Sequence, residues 1–356
     1  MKKTFIVFVM IICILPSAAM LFMGESPPVA NEVPVSKPKI INEDKAFNTK
    51  ILSDITDYIG KGFSFRQELI TLNSRIITKL FGVSPVNDVI FGKEGWFFYK
   101  STMDDFLKKD VLTNEQIEKI ADTLLEFEQK CNENGRKFLF VIAPNKNTVY
   151  PEFMPYLSEN QSEKSNRENL FEQLRKKNIS YIDLMTAFNS KKSLYHKKDS
   201  HWNNKGAALA ADEVLKALNY NETPFFSENY TVTNDFDGDL YHMLFPKGSE
   251  KDENFEFSQE MSFTYDVPIR GADSMTIKTT CEGKNGSLLV FRDSFGNALY
   301  PFLAQSCNKA VFLRKTPYNP EILSEYEADT VIIVMAERNL YQFDKFVETN
   351  RKEERK

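Results

Sequence analysis

The chain has 356 residues, 42% hydrophobic and 13% aromatic, with an unusually high 30 phenylalanines. That is enough for one large domain or two ordinary ones with a sizeable core. A net charge of −5 and the absence of a basic stripe exclude nucleic acid as the main partner, because phosphate recognition needs a positive surface.

At the N-terminus, Lys2 and Lys3 precede an uncharged apolar run from Phe5 to Met23, and Pro27 and Pro28 follow. A basic start followed by an apolar stretch is a secretory signal, and about twenty apolar residues also span a bilayer. Ser17-Ala18-Ala19 offers a small-residue cleavage site, so residues 1–24 read as a signal anchor or a signal peptide. The uncleaved anchor is the favoured reading, with Lys2 and Lys3 on the cytoplasmic side. In both readings the rest of the chain is expected outside the cytoplasmic membrane, anchored by this segment or secreted if it is cleaved. Residues 25–49 are Pro-rich and polar and read as an extracytoplasmic linker. Residues 50–345 are expected to form the main domain, and 346–356 a charged, solvated tail.

Helical and strand signals alternate along the main domain. Thr113 and Gln116 make a capping box ahead of Ile117, Ile120, Ala121, Leu124 and Cys131, which share one helical face, and Gly135 stops that helix. The run 137–143 before Pro144 reads as a buried strand. Ser165 and Glu168 cap a helix ending near Lys176, Ile179–Leu184 reads as a strand, and Gly206–Leu218 as an Ala-rich helix. Further strands are expected at 287–291, 310–313 and 330–336. Apolar runs without strict alternation suit strands covered on both faces, so the sequence predicts an α/β fold whose mainly parallel sheet is flanked by helices. Residues 221–275 break the rhythm and read as an irregular insertion near the site.

Of four cysteines, Cys13 lies in the targeting segment, leaving Cys131, Cys281 and Cys307 for the exported part. Without a C-x-x-C pair, zinc and redox chemistry have no support. Buried free thiols are the favoured reading and a Cys281–Cys307 disulfide is the alternative. The histidines His196, His201 and His242 are scattered, with no carboxylate cluster, so neither a metal nor any other cofactor is called for.

Two short segments carry the chemistry. In Asp199-Ser200-His201-Trp202-Asn203 an extended backbone points residues 199 and 201 the same way, so Asp199 can orient the imidazole of His201 as a general base. Trp202 then points into the core, and Asn203 or Asn204 caps the next helix. In Arg292-Asp293-Ser294-Phe295-Gly296 an apolar strand gives way to a helix, which exposes the Ser294 hydroxyl and sets its amide at the positive helix end. Gly296 is read as permitting close approach of a substrate. Each segment also has a bland reading, a hydrogen-bonded loop and an N-capping serine. Together they hold the hydroxyl, base and carboxylate of an acyl-transfer triad.

The pairing of Asp199-Ser-His-Trp-Asn with Asp293-Ser294-Phe295 resembles the signature of the SGNH-hydrolase-like domain of the alginate O-acetyltransferase group (the AlgJ/AlgX type) and the related DHHW proteins. Phe63-Ser-Phe-Arg66, Gly92-Lys-Glu-Gly-Trp-Phe-Phe-Tyr99, Pro144-Asn-Lys146 with Tyr150-Pro-Glu152, Gly238-Asp-Leu-Tyr241 and Glu337-Arg338 are similar to further blocks of that family, in the same order. The resemblance covers roughly residues 50 to 345. Arg292 stands where the alginate enzymes tend to have Gly, and Ser200 follows the first Asp of the His motif. These features place the chain nearer the DHHW branch.

The resemblance implies an SGNH-hydrolase-like fold with Ser294 as nucleophile, His201 as base and Asp199 as its orienting acid. Lys146, Arg338 and Asp293 are weaker candidates for substrate binding or oxyanion stabilisation; a structural salt bridge is the alternative for the first two, and shaping the turn for Asp293. Gly92–Tyr99 is read as a packing element, with Trp96 alternatively lining a sugar groove. The implied activity is O-acetyl transfer to a polysaccharide or cell-envelope glycan through an acyl-enzyme, with a membrane-bound O-acyltransferase as acetyl donor. The alternatives are a glycan O-acetyl esterase with the same triad and a non-catalytic envelope or glycan-binding protein.

Overall fold

The computed structural model describes residues 2–109, 111–155, 164–189, 191, 193–220, 224–316, 319–341 and 343. The expected charged tail, 346–356, lies outside them. The chain divides into two compact units, Met1–Phe91 with Asp237–Lys251, and Gly92–Phe236 with Asp252–Lys356.

The first unit holds helices α1 (Lys2–Met23), α2 (Ile51–Gly62) and α3 (Arg66–Phe81), strand β1 (Val89–Phe91) and a short helix at Asp239–Leu244. After Lys2 and Lys3, α1 is predominantly apolar, with mean hydropathy 2.8 over an 18-residue window, and it is long enough to cross a membrane. Residues 25–49 contain no helix and are fastened to α3. Arg66 forms a two-pronged ion pair with Glu32 at 2.8 and 2.9 Å, and the Gln67 amide donates to the carbonyls of Pro27 and Pro28.

The second unit contains β2 (Phe97–Tyr99), α4 (Asn114–Glu133), β3 (Lys137–Ala143), α5 (Asn166–Lys176), β4 (Tyr181–Asp183), α6 (Asn204–Ala217), β5 (Tyr230–Phe236), β6 (Asp252–Phe257), β7 (Thr264–Tyr265), β8 (Thr276–Thr280), β9 (Ser287–Arg292), α7 (Gly296–Gln305), β10 (Lys309–Leu313) and β11 (Thr330–Ala336). Both expected capping boxes form: Thr113 and Gln116 close α4, and Ser165 and Glu168 close α5. Gly135, at φ 66°, ends the chain's run out of α4 in the left-handed region that glycine tolerates best.

The main sheet has the order β4-β3-β11-β9-β10-β8-β7. Its first five strands run parallel, and β8 and β7 are antiparallel additions. β3 and β11 pair residue for residue from Lys137–Thr330 to Ala143–Ala336. All seven residues of β11 are buried, as are six of β3. This is the double-sided burial expected of a parallel sheet covered by helices. On one face Ile120, Leu124 and Phe127 of α4 and Leu170 and Leu174 of α5 pack on Phe138, Phe140, Leu289, Phe291, Val331 and Ile333. Each such buried side chain contributes roughly 1.5–3 kcal/mol of transfer free energy. The α/β architecture predicted from sequence, a mainly parallel sheet flanked by helices, is the one observed.

Some details differ. The strand expected at Ile179–Leu184 is limited to the three residues of β4. The insertion at 221–275 is more regular than expected, since β5 and β6 form an antiparallel pair with a bulge between Thr233 and Phe236. Cys131, Cys281 and Cys307 are buried free thiols, so the Cys281–Cys307 disulfide does not form.

Candidate active site

The His segment is pinned on both flanks. Asn203 caps α6, its Oδ1 accepting from Lys205 N at 3.0 Å and Gly206 N at 3.1 Å, while its Nδ2 donates to Ser193 O at 2.9 Å. Trp202 is buried as expected, and its Nε1 donates to Phe295 O at 3.0 Å. With those anchors set, Asp199 and His201 fall on one side of the backbone. Asp199 Oδ1 accepts from the His201 amide at 2.8 Å and meets His201 Nδ1 at 2.8 Å. His201 Nε2 meets Ser294 Oγ, also at 2.8 Å; in the tautomer with Nδ1 protonated toward Asp199, the Nε2 lone pair faces that hydroxyl. Asp199 is 5% exposed, so its charge acts where water screens little.

Ser294 lies between the carboxyl end of β9 and the start of α7. Asp293 shapes this turn: its Oδ1 accepts from Phe295 N at 2.9 Å, and its Oδ2 from Ala336 N at 2.7 Å and Asn339 Nδ2 at 2.9 Å. With both oxygens engaged, Asp293 is a brace between the ends of β9 and β11. The Ser294 amide donates to no other group among the described residues, which leaves a donor available at the helix N-terminus. The reading of Gly296 as an opening for substrate is corrected. The space above its Cα is taken by Arg292, whose Cδ would lie 2.4 Å from a Cβ at that position. Arg292 is itself buried and donates to Ala272 O at 2.8 Å and Ser274 O at 3.0 Å, while burial and the nearby Arg314 charge pull its pKa down to about 10.

Lys146 meets backbone carbonyls of two segments. Its buried ammonium donates to Phe97 O at 2.7 Å, Lys197 O at 2.8 Å and Asp199 O at 2.9 Å, which engages its three protons. It thereby ties the 92–99 segment to the backbone of the His loop. Trp96 is 5% exposed and stacks on Phe153 at 4.7 Å between centroids, so it is a packing residue and not a groove wall. Arg338 is half-buried, with its guanidinium carbon 5.2 Å from the ring centroid of Phe295, the residue after Ser294.

His196 is buried against Phe236, with centroids 3.6 Å apart, and its Nδ1 meets Glu253 O at 2.9 Å. His242 Nε2 lies 2.8 Å from Asp237 Oδ1. The sequence reading also missed Glu337 as an anchor. Buried to 2% exposure, it accepts from Asn145 N, Thr148 Oγ1 and Arg167 Nε and so joins the ends of β3 and β11. Burial opposes the Arg167 charge, yet Glu337 and Asp183 outweigh it and hold the Arg167 pKa above its ordinary value. The adjacent Glu337-Arg338 pair was the only local signal for this network.

His201 and Ser294 thus come together beyond the sheet's carboxyl ends, where open α/β folds place their chemistry. Among known proteins, the family model described as the SGNH hydrolase-like domain of acetyltransferase AlgX matches residues 89–269, a span holding Asp199 and His201 and ending before Ser294. The structure of Bacillus cereus PatB1 with a sulfonyl adduct is similar over 72% of this chain and 97% of that one, at 17% identity and TM-score 0.55, a likeness of fold. A DHHW family protein from Eubacterium siraeum aligns over 63% of this chain and 85% of its own, at 19% identity and TM-score 0.49. The O-acetyltransferase domain of Pseudomonas putida AlgJ aligns over 71% and 91%, at 16% identity and TM-score 0.46. No curated protein matches in sequence. On the family model, which spans half of its length, the chain belongs to the SGNH hydrolase-like acetyltransferase family of the AlgX type.

Proposed function

We propose that this protein is an extracytoplasmic O-acetyltransferase that modifies a polysaccharide or cell-envelope glycan through Ser294, His201 and Asp199. The observation that carries the reading is the relay of 2.8 Å contacts from Asp199 Oδ1 to His201 Nδ1 and from His201 Nε2 to Ser294 Oγ. Family membership favours acetyl as the group transferred.

In this scheme Ser294 Oγ attacks the acetyl carbonyl as its proton passes to His201 Nε2, and Asp199 stabilises the imidazolium. The Ser294 amide is the donor for the oxyanion, and Arg338, stacked on Phe295, adds positive charge beside it. Collapse expels the donor's leaving group, which takes the proton back from His201. A glycan hydroxyl, deprotonated in turn by His201, then attacks the acyl-enzyme and releases Ser294. Lys146 and Asp293 hold the two halves of the site in place without touching substrate. Acetyl donors must be supplied outside the membrane, a role suited to a membrane-bound O-acyltransferase, and α1 is the proposed anchor that keeps the two together. If water replaces the glycan at the second step, the same residues perform ester hydrolysis.

Intact mass of the full chain in detergent after incubation with p-nitrophenyl acetate tests this reading, beside Ser294→Ala. An acetyl adduct in the parent alone is the expected result, and added oligosaccharide should discharge it to acetylated sugar faster than water does. Discharge to free acetate regardless of sugar would replace transferase with esterase. No adduct on folded parent protein would overturn the catalytic reading.

A further inference from the structure

Helix α3 buries its polar stripe and exposes its apolar one. Gln67, Thr71 and Ser74 are 8%, 5% and 1% exposed, whereas Leu69, Leu72, Ile76 and Leu80 are 45%, 55%, 47% and 68% exposed. At 3.6 residues per turn the two stripes lie roughly opposite one another on the helix. The polar stripe does the docking within the unit: Gln67 holds the Pro27 and Pro28 carbonyls, and Thr71 Oγ1 accepts from Lys247 N at 3.0 Å. Helix α2 repeats the exposure through Leu52, Ile55 and Ile59, and Phe65 stands 44% exposed at the corner between the helices. A water-facing helix has the reverse arrangement, and apolar stripes exposed along two successive helices mark a binding face.

The contacts of the corner identify what covers that face. Ser64 N donates to Pro16 O of α1 at 3.2 Å, Ser64 Oγ to Gly24 O at 2.9 Å, and Ser26 N to Gly62 O at 2.9 Å. The α2–α3 corner is therefore fastened alongside the last third of the one described helix able to span a membrane. Pro16 lies seven residues before the end of α1, about 10 Å along its axis. That is about the depth, 5–10 Å, at which an interfacial helix seats its apolar face. Lys61, Arg75 and Lys79 are exposed on the same two helices, suited to lipid phosphates.

We propose that α2 and α3 form an interfacial hairpin whose apolar faces lie in the outer leaflet, with a phospholipid surface as its partner. This rests on the reading of α1 as a membrane span and adds a second, in-plane attachment to it. The hairpin would hold the start of the linker at the membrane surface, in place of a free tether.

Single cysteines at Ile11, Leu72, Ile76 and Lys216 in the full chain carrying Cys13→Ala, labelled with an environment-sensitive nitrobenzoxadiazole dye, test the proposal. The protein is reconstituted in phosphatidylcholine–phosphatidylglycerol vesicles and probed with brominated acyl chains and with aqueous iodide. At positions 11, 72 and 76 the expected result is a blue shift, quenching by bromolipid and protection from iodide, with position 216 quenched by iodide. Bromolipid quenching at 11 with iodide quenching at 72 and 76 would overturn the hairpin and leave the span. Protection of 72 and 76 from both quenchers would also overturn it, in favour of a protein partner or a second copy. Iodide quenching at 11 with bromolipid quenching at 72 and 76 would remove the span and keep the lipid face. Iodide quenching at all positions would remove both.

Discussion

The stem of Arg292 lies across the Cα of Gly296, where a Cβ would stand 2.4 Å from Arg292 Cδ and 2.6 Å from Arg292 Cβ. Both residues flank Ser294, so their packing sets the turn that presents the hydroxyl. Gly296→Ala should force one of them to move and destabilise the protein by about 1–3 kcal/mol, the usual cost of overpacking. Arg292→Ala alone should also destabilise, since the Ala272 and Ser274 carbonyls lose their donor. The double variant should cost less than the two single effects added, because removing the stem makes room for the new methyl. Urea unfolding of the four proteins measures the coupling, and strict additivity would show that the contact has no energetic consequence.

Asp199→Asn tests the orienting role without removing the hydrogen bond to the His201 amide, which an asparagine carbonyl still accepts. Its NH₂ cannot accept from His201 Nδ1–H, and if its carbonyl does so the bond loses its charge assistance. Turnover with an acetyl ester should fall by up to about 10⁴, the scale set by the wrong tautomer in a triad. Adding Asp199→Asn to Ser294→Ala should cost nothing further, since residues that act as a unit are not additive. An Asp199→Asn enzyme with near-parental turnover would remove Asp199 from the mechanism.

Lys146 makes a different prediction, because its three acceptors come from two segments, which also meet through Phe97 N donating to Lys197 O at 2.8 Å. Lys146→Met keeps much of the volume but leaves the carbonyls of Phe97, Lys197 and Asp199 without that donor. Each hydrogen bond lost from the charged ammonium costs roughly 1.5–3 kcal/mol, so thermal unfolding should shift down by several degrees or more. Lys146→Arg should not rescue it, since a planar fork cannot reproduce a three-way ammonium between Trp96 and Phe98. If Lys146→Arg matched the parent in stability, charge alone would explain the residue.

These cases show what was legible from residues alone. Thr113–Gln116 and Ser165–Glu168 read directly as helix starts because capping is local chemistry, and β11 read as a buried strand because its whole run is apolar. The candidate Asp199–His201 geometry followed from the period of two in extended chain. The three carbonyls that Lys146 meets were not legible, because they lie 49 to 53 residues away and are backbone atoms, which carry no residue-type signal. Gly296 was misread for a related reason: whether a glycine opens space for a ligand or for a neighbouring side chain depends on the path that side chain takes. The grouping of 237–251 with the N-terminal unit had no compositional trace, since the segment lies inside a stretch already read as irregular.

His196 gives the fold a pH signature separate from catalysis. Burial lowers its pKa below the ordinary value, and the opposing pull of Asp199 and Asp252 does not compensate. The unfolded chain, with a histidine pKa of about 6.5, therefore binds more protons than the folded one in the window below that pH. Stability rises with pH wherever the unfolded state holds more protons, so this contribution is complete above about 6.5 and is lost as pH falls toward the depressed folded value. Thermal unfolding of the parent should weaken between pH 7.5 and 5.5, and His196→Gln should flatten that part of the profile while lowering stability at pH 7.5 through loss of the stack on Phe236. The carboxylates held low by their partners, such as Asp237 beside Lys251 and His242, lose their contribution only at more acidic pH and do not mask the comparison. Equal slopes for the two proteins across that window would mean that His196 titrates alike in the folded and unfolded chains.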